Sequence, residues 1–265
     1  MSTFFEKIND LDILLHCDGY EREYFFAECS RLAYKGQKLA SKEFKKVGFT
    51  SYKFCSVEGA QCHIVKNRDY IVIAFRGTEP RQFSDIKADL MAWKRKSRTE
   101  GHVHAGFKNE LDKLWADIKM GLSRKGDRTI YLCGHSLGGA IATVCASRLE
   151  KDIEELYTYG SPRVGGDIFR DNLLVDHCRV VNNNDMVAKV PFWFMGYRHH
   201  GYLTYINHYG NIRTLTFWQK LKDQIRGRWC ALRKFQMFDG IRDHDINKYC
   251  KKLKSLVKIE PTFGE

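Results

Sequence analysis

Hydrophobic positions along the chain follow two periods. From Tyr20 to Lys35, residues Tyr24, Ala27, Glu28, Arg31 and Leu32 recur at helical spacing, which predicts a helix. Two β-rich runs come next, Cys62–Lys66 and Tyr70–Phe75, separated by the turn-forming triplet Asn67-Arg68-Asp69. Phe107–Leu122 returns to the helical period, with Phe107, Leu111, Leu114, Trp115 and Ile118 on one face. Further on, Thr129–Cys133, Glu155–Tyr159, Cys178–Val181 and Ile212–Phe217 read as strands, while Ala140–Leu149 and Ile168–Leu174 read as helices. Strands alternating with helices in this way indicate βαβ units. The expected fold class is therefore α/β, a mostly parallel central sheet with helices on both faces. Residues 1–265 are expected to form a single domain, with residues 1–60 a helical and β extension packed on it.

Composition narrows the class. The 265 residues are 43% hydrophobic, enough for a sizeable core, and 29% charged, too many for an integral membrane protein. The longest uncharged apolar-leaning run, Val190 to Tyr197, is far short of the roughly 20 residues of a spanning helix. Met1 to His16 carries Glu6, Asp10 and Asp12 and has no unbroken apolar centre, so no secretory signal is expected. Nine cysteines are odd in number, scattered and free of any CxxC pair. They suggest reduced thiols in a cytoplasmic setting and give no support to a zinc site. The net charge of +12 points to an anionic partner or merely to a solvated basic surface. No nucleic-acid recognition module accompanies it, so no nucleic-acid partner is expected.

The strongest chemical signal is Gly134-His135-Ser136-Leu137-Gly138-Gly139, between the strand ending at Cys133 and the helix that follows. A serine on a sharp strand–turn–helix bend projects its hydroxyl at a helix N-terminus, where free N–H groups favour developing negative charge. Such a nucleophile needs a base, and the base an orienting acid. Asp185 ends a strand after Ser136, whereas Asp167, Asp171 and Asp176 lie around a helix as surface charges. His244 is the only histidine beyond Ile212–Phe217; His208 is the reserve, and His199 and His200 sit in an aromatic loop. A second oxyanion donor besides the Leu137 N–H is sought where the strand Ile71–Phe75 ends in Arg76-Gly77-Thr78. An ordinary turn there is equally consistent with the spacing.

In order from Ile71 to Tyr249, these segments resemble the class 3, fungal-lipase-like family of the α/β-hydrolase superfamily. The resemblance rests on Ala74-Phe75-Arg76-Gly77-Thr78, Ala88-Asp89-Leu90, Val103-His104-Ala105-Gly106-Phe107 and the Ser136 motif. It extends through Tyr159-Gly160-Ser161-Pro162-Arg163-Val164-Gly165, Asn184-Asp185-Met186-Val187 and Asp243-His244-Asp245-Ile246-Asn247-Lys248-Tyr249. It implies hydrolysis of acylglycerols or related lipid esters through an acyl-enzyme, with no metal and no organic cofactor. Carried over, Ser136 resembles the nucleophile, Asp185 the acid, His244 the base and Thr78 the oxyanion threonine, partnered by the Leu137 N–H. Phospholipase A1 or short-chain carboxylesterase activity on the same scaffold is the alternative within enzymes, and a lipase-like binding module the alternative outside them. Transfer of the acyl group to an alcohol other than water also stays open.

Three segments bear on lipid contact. Where the family carries a lid, Glu79–Ile86 offers only Phe83 and Ile86 as apolar contacts, which predicts weak interfacial activation. Pro191–Tyr197 carries four aromatics that would line an acyl pocket, touch a membrane or join the core. Phe217–Phe235 has the pattern of a basic amphipathic helix, lying on an anionic membrane or docked on the core. The expected partners are thus a lipid ester substrate and, peripherally, an anionic membrane; oligomeric state is not encoded in any of these patterns.

Overall fold

The computed structural model describes residues 3–8, 11, 20–77, 94–212, 219, 222 and 242–257. Thr78, the segment 79–86 and nearly all of 217–235 lie outside the described residues.

Seven strands form the main sheet: β1 (Ser51–Val57), β2 (Ala60–Lys66), β3 (Tyr70–Phe75), β6 (Thr129–His135), β7 (Ile153–Tyr159), β8 (Asp176–Asn182) and β9 (Tyr202–Ile206), in spatial order β1-β2-β3-β6-β7-β8-β9. β1, β2 and β3 pair antiparallel, and from β3 to β9 every pairing is parallel. The interior strands β3 and β6 are almost wholly buried, as a parallel sheet covered on both faces requires. A separate two-stranded ribbon joins β4 (Lys94–Lys96) to β5 (His102–His104).

Two hydrophobic layers cover the sheet. Alternate residues of β3 and β6 supply each, with Val72, Ala74, Tyr131 and Cys133 facing one layer and Ile71, Ile73, Phe75, Ile130 and Leu132 facing the other. The first layer holds α1 (Glu21–Leu32), α2 (Gln37–Lys46) and α6 (Ile246–Leu256); the second holds α3 (Ala105–Leu122) and α4 (Leu137–Leu149). In α3 the residues at helical spacing, Phe107, Leu111, Leu114 and Ile118, are buried, while Trp115 on the same face is partly so. In α1 the aromatics Phe25 and Phe26 are fully buried, Phe26 stacking on Tyr157 at 4.3 Å between centroids. Burying such a ring contributes about 1.5–3 kcal/mol.

Two expected elements differ. The helix expected over Ile168–Leu174 is the single turn α5, Asp167–Asp171; Leu173 and Val175 instead pack into the core beyond it. The sheet's last described strand is β9, earlier than the expected Ile212–Phe217. Ile212 itself makes an isolated bridge to Ile206, and residues 213–217 lie outside the described residues.

Candidate active site

β6 ends in a backbone turn that few residues adopt. Ser136 has φ 59° and ψ −130°, a conformation disfavoured for any residue with a side chain, and α4 starts at the next residue. The turn closes because its neighbours lack side chains. A Cβ on Gly134 would lie 2.4 Å from the Gly138 carbonyl, and one on Gly138 would lie 2.3 Å from the carbonyl oxygen of Phe75. The elbow is thereby pressed between the helix it opens and the end of β3. The Ser136 N–H donates to the Tyr159 carbonyl at 3.0 Å, and the Ser136 carbonyl accepts from Gly139 N–H at 3.0 Å. Leu137, the first helical residue, contributes one of the N–H groups with no partner inside the helix.

Asp185 sits three residues beyond β8, with its N–H donating to the Asn182 carbonyl at 2.9 Å. Its carboxylate is fully buried and has three donors. The Val187 N–H reaches Oδ1 at 2.9 Å, the Tyr249 hydroxyl reaches Oδ2, and His244 Nδ1 lies 3.0 and 2.9 Å from the two oxygens. An imidazole that donates from Nδ1 carries its lone pair on Nε2 when neutral, the tautomer of a general base.

His244 is also tied to the elbow itself. His135, the residue before the serine, donates from Nε2 to the His244 carbonyl at 2.7 Å and accepts at Nδ1 from the Tyr34 hydroxyl at 2.8 Å. The two imidazole rings lie 4.4 Å apart. Burial, then the neighbouring His244, hold the His135 pKa well below the usual histidine range, so it acts as a neutral strut.

The loops that carry Asp185 and His244 are joined through Asp243. Asn182 Nδ2 donates to its carbonyl at 2.8 Å, while Asn183 Nδ2 and the Asn184 N–H reach Oδ2 at 3.2 and 3.3 Å. From α6, Lys252 donates to Asn182 Oδ1 at 2.6 Å. Gly160 completes the fit. Its φ is +54°, and a Cβ there would stand 2.4 Å from Asp185 Oδ2 and 2.9 Å from His244 Nδ1.

The structure thus brings Asp185, His244 and the Ser136 elbow together. His208 lies instead in the turn after β9, against the Tyr209 ring at 5.4 Å. Asp167 and Asp171 are surface carboxylates held by Arg170. His199 donates to the Ala188 carbonyl at 2.8 Å, and His200 stacks on His177. Thr78 lies outside the described residues, but Gly77 marks where the chain approaches it. A Cβ on Gly77 would lie 2.6 Å from the His135 carbonyl oxygen and 3.2 Å from Ser136 Cβ. Tyr249, Asn182–Asn184, His135 and Tyr34 were given no role by the sequence reasoning. The signal that would have found them is polarity at positions where strand and helix periodicity demand core. Among the described residues, no group of three or more metal-binding side chains converges and no helix is long and apolar enough to cross a membrane.

The signature of the class 3 lipases matches residues 72–195, a span that includes the elbow and Asp185. A secreted mono- and diacylglycerol lipase from Fusarium solani is 42% identical over 106 residues, 37% of this chain and 32% of that one. The chain spans between 28% and 45% of the length of the first curated relatives it matches. Among solved structures, the Rhizomucor miehei triacylglyceride lipase superposes with a TM-score of 0.64 at 21% identity, covering 84% of this chain and 91% of that one. A lipase from Rhizopus microsporus var. chinensis gives a TM-score of 0.59 at 25% identity over 70% and 74% of the two chains. The architecture is the α/β-hydrolase fold of these enzymes. Residues 72–195, which hold the elbow and Asp185, are thus a class 3 lipase segment set in this fold.

Proposed function

We propose that this chain is a serine esterase that hydrolyses carboxylic esters of lipids, acylglycerols foremost, through an acyl-enzyme on Ser136. The observation that carries the reading is the fully buried Asp185 carboxylate on His244 Nδ1, tethered through His135 to the elbow of Ser136. In the reaction, His244 Nε2 takes the hydroxyl proton as Ser136 Oγ attacks the ester carbonyl. The Leu137 N–H and Thr78 stabilise the oxyanion, and Asp185 stabilises the imidazolium. Collapse expels the alcohol, which receives the proton from His244. Water, deprotonated by the same imidazole, then releases the fatty acid. No step requires a metal or an organic cofactor.

The mono- and diacylglycerol lipase named above supports acylglycerols as the substrate class. That relative is secreted; a cytoplasmic setting is the reading here, supported by seven described cysteines that are all free and buried. Cys55 and Cys62 stand directly opposite each other on β1 and β2 and are still thiols.

Release of p-nitrophenol from butyrate and palmitate esters by the wild type and by Ser136→Ala tests the proposal. Turnover confined to the wild type supports it, and preference for palmitate favours a lipase over a short-chain esterase. A folded wild type inert towards both esters and towards dispersed acylglycerol sinks it.

A further inference from the structure

We propose that Trp193 and Phe194, with the basic strand β4 beside them, form a docking surface for the anionic phospholipid headgroups of a membrane. This deepens the reading as a lipid esterase and rests on it, by naming the phase from which substrate is presented.

The surface is built on the crossover between β8 and β9, the same stretch that carries Asp185 near its start. Residues Trp193–Met195 form one turn of 3₁₀ helix, closed by Gly196 in the left-handed region at φ 75°. The turn projects aromatics into solvent: Phe192 is 37% exposed, Trp193 65% and Phe194 68%. Membership of the core is thereby excluded for these three, whereas the fourth aromatic of the segment, Tyr197, is buried in it. The rings assemble with one another, Phe192 stacking on Phe194 at 5.2 Å and Trp193 meeting Phe194 edge-on at 6.1 Å. Their base is fixed. Arg198 donates to the Trp193 carbonyl at 2.8 Å, and Arg163 donates to the carbonyls of Lys189 and Pro191. A preformed aromatic knob in water is an unfavourable arrangement for an isolated chain and the usual mark of a contact site. An indole with an apolar body and a polar N–H suits the headgroup level of a bilayer.

Charge decides the kind of contact. β4 reads Lys94-Arg95-Lys96, and Lys94 Nζ donates to the carbonyl of Gly196 at 3.0 Å, the residue that closes the aromatic turn. Arg95 and Lys96 are exposed, and none of the three cations forms an ion pair with a described residue. The nearby carboxylate of Asp167 is already held by Arg170 and Arg198, each at 3.0 Å. Aromatics flanked by cations that pair with no described carboxylate match a surface that is apolar beneath and negative on top. A symmetric contact between two such patches would oppose like charges. The net charge of +12 has the same sign as the patch and would draw the whole chain to that surface.

Co-sedimentation of the full chain with vesicles of phosphatidylcholine, alone and mixed with phosphatidylglycerol, reads this directly. The wild type is expected to bind the phosphatidylglycerol vesicles, less so at high salt, and to bind phosphatidylcholine weakly. Trp193→Ser/Phe194→Ser should lower partitioning by about tenfold or more, with a thermal melt like that of the wild type. Arg95→Glu/Lys96→Glu should lower it by about fivefold for each cation lost, while hydrolysis of soluble p-nitrophenyl butyrate stays unchanged. Variants that sediment like the wild type overturn the proposal, as does a wild type indifferent to phosphatidylglycerol. A concentration-dependent dimer abolished by the Trp193 and Phe194 changes overturns it too, because the occupant would then be a second copy. Ser136→Ala should bind as the wild type does. If vesicle binding holds while the wild type turns over no ester, the esterase reading falls and the docking surface stands.

Discussion

The hydroxyl of Tyr249 donates to Oδ2 of Asp185, the carboxylate that grips His244. The same hydroxyl oxygen accepts the Asn182 N–H at 3.1 Å, so one phenol spans the end of β8 and the acid beyond it. Burial, and then the adjacent carboxylate, push its pKa well above the usual tyrosine range, which keeps it a proton donor throughout the working pH of an esterase.

Tyr249→Phe removes that donor without changing the ring. A hydrogen bond to a charged group is worth about 1.5–3 kcal/mol, so kcat should fall by roughly tenfold to a hundredfold. On the proposed reading the fully buried Tyr249 acts only by positioning the acid, so KM for a soluble ester should hold. Steady-state kinetics in which KM rises and kcat stays unchanged would contradict the assignment.

Gly160→Ala places a methyl group where the structure leaves 2.4 Å to Asp185 Oδ2. The acid–base pair must shift, and displacement by about 1 Å costs on the order of a hundredfold in rate. The expected variant is folded by circular dichroism and nearly inactive on p-nitrophenyl butyrate. Wild-type turnover would mean that the pair has room the geometry does not show.

Thr78→Ala tests the proposed second oxyanion donor. Loss of one such donor costs about 10²–10³ in kcat. A variant that changes KM while keeping kcat would move the threonine out of the oxyanion site.

Acid should destabilise the fold through buried neutral histidines. Burial lowers the pKa of His63 to about 4 and holds those of His135, His177 and His199 well below the usual range. The unfolded chain binds these protons near pH 6.5, so below that pH it binds more protons than the folded chain. Stability is therefore fully present above about pH 6.5 and drains as pH falls towards about 4, by linkage. His63 alone accounts for on the order of 3 kcal/mol across that window. Thermal melts should show Tm falling from about pH 6.5 downward, with a shallower fall in His63→Gln. A flat Tm over the window would refute this account.

Much of this arrangement was readable from the chain alone, for identifiable reasons. The elbow is legible because its glycines are compelled by close backbone approach at Gly134 and Gly138, which leaves a local motif. The α/β alternation is legible because β3 and β6 are buried on both sides and so form unbroken apolar runs. β9 was missed because Tyr202–Ile206, the last described strand of the sheet, has an exposed start, and its pattern is neither a continuous run nor a clean alternation. The polar supports around Asp185 were missed for a different reason. Asn182, Asp243 and Tyr249 are separated along the chain and meet only in the fold; polarity at a core position can flag such a residue, but periodicity does not name its partner.

His244 lies just before α6, and α6 packs on α1, near the opposite end of the described chain. A polypeptide emerging residue by residue would finish the sheet and the serine turn long before Asp243 and Tyr249 appeared. Such a nascent chain would hold a nucleophile with nothing to take its proton. On the proposed reading, the serine would thus gain its base only once the segment around His244 had emerged and α6 had docked on α1.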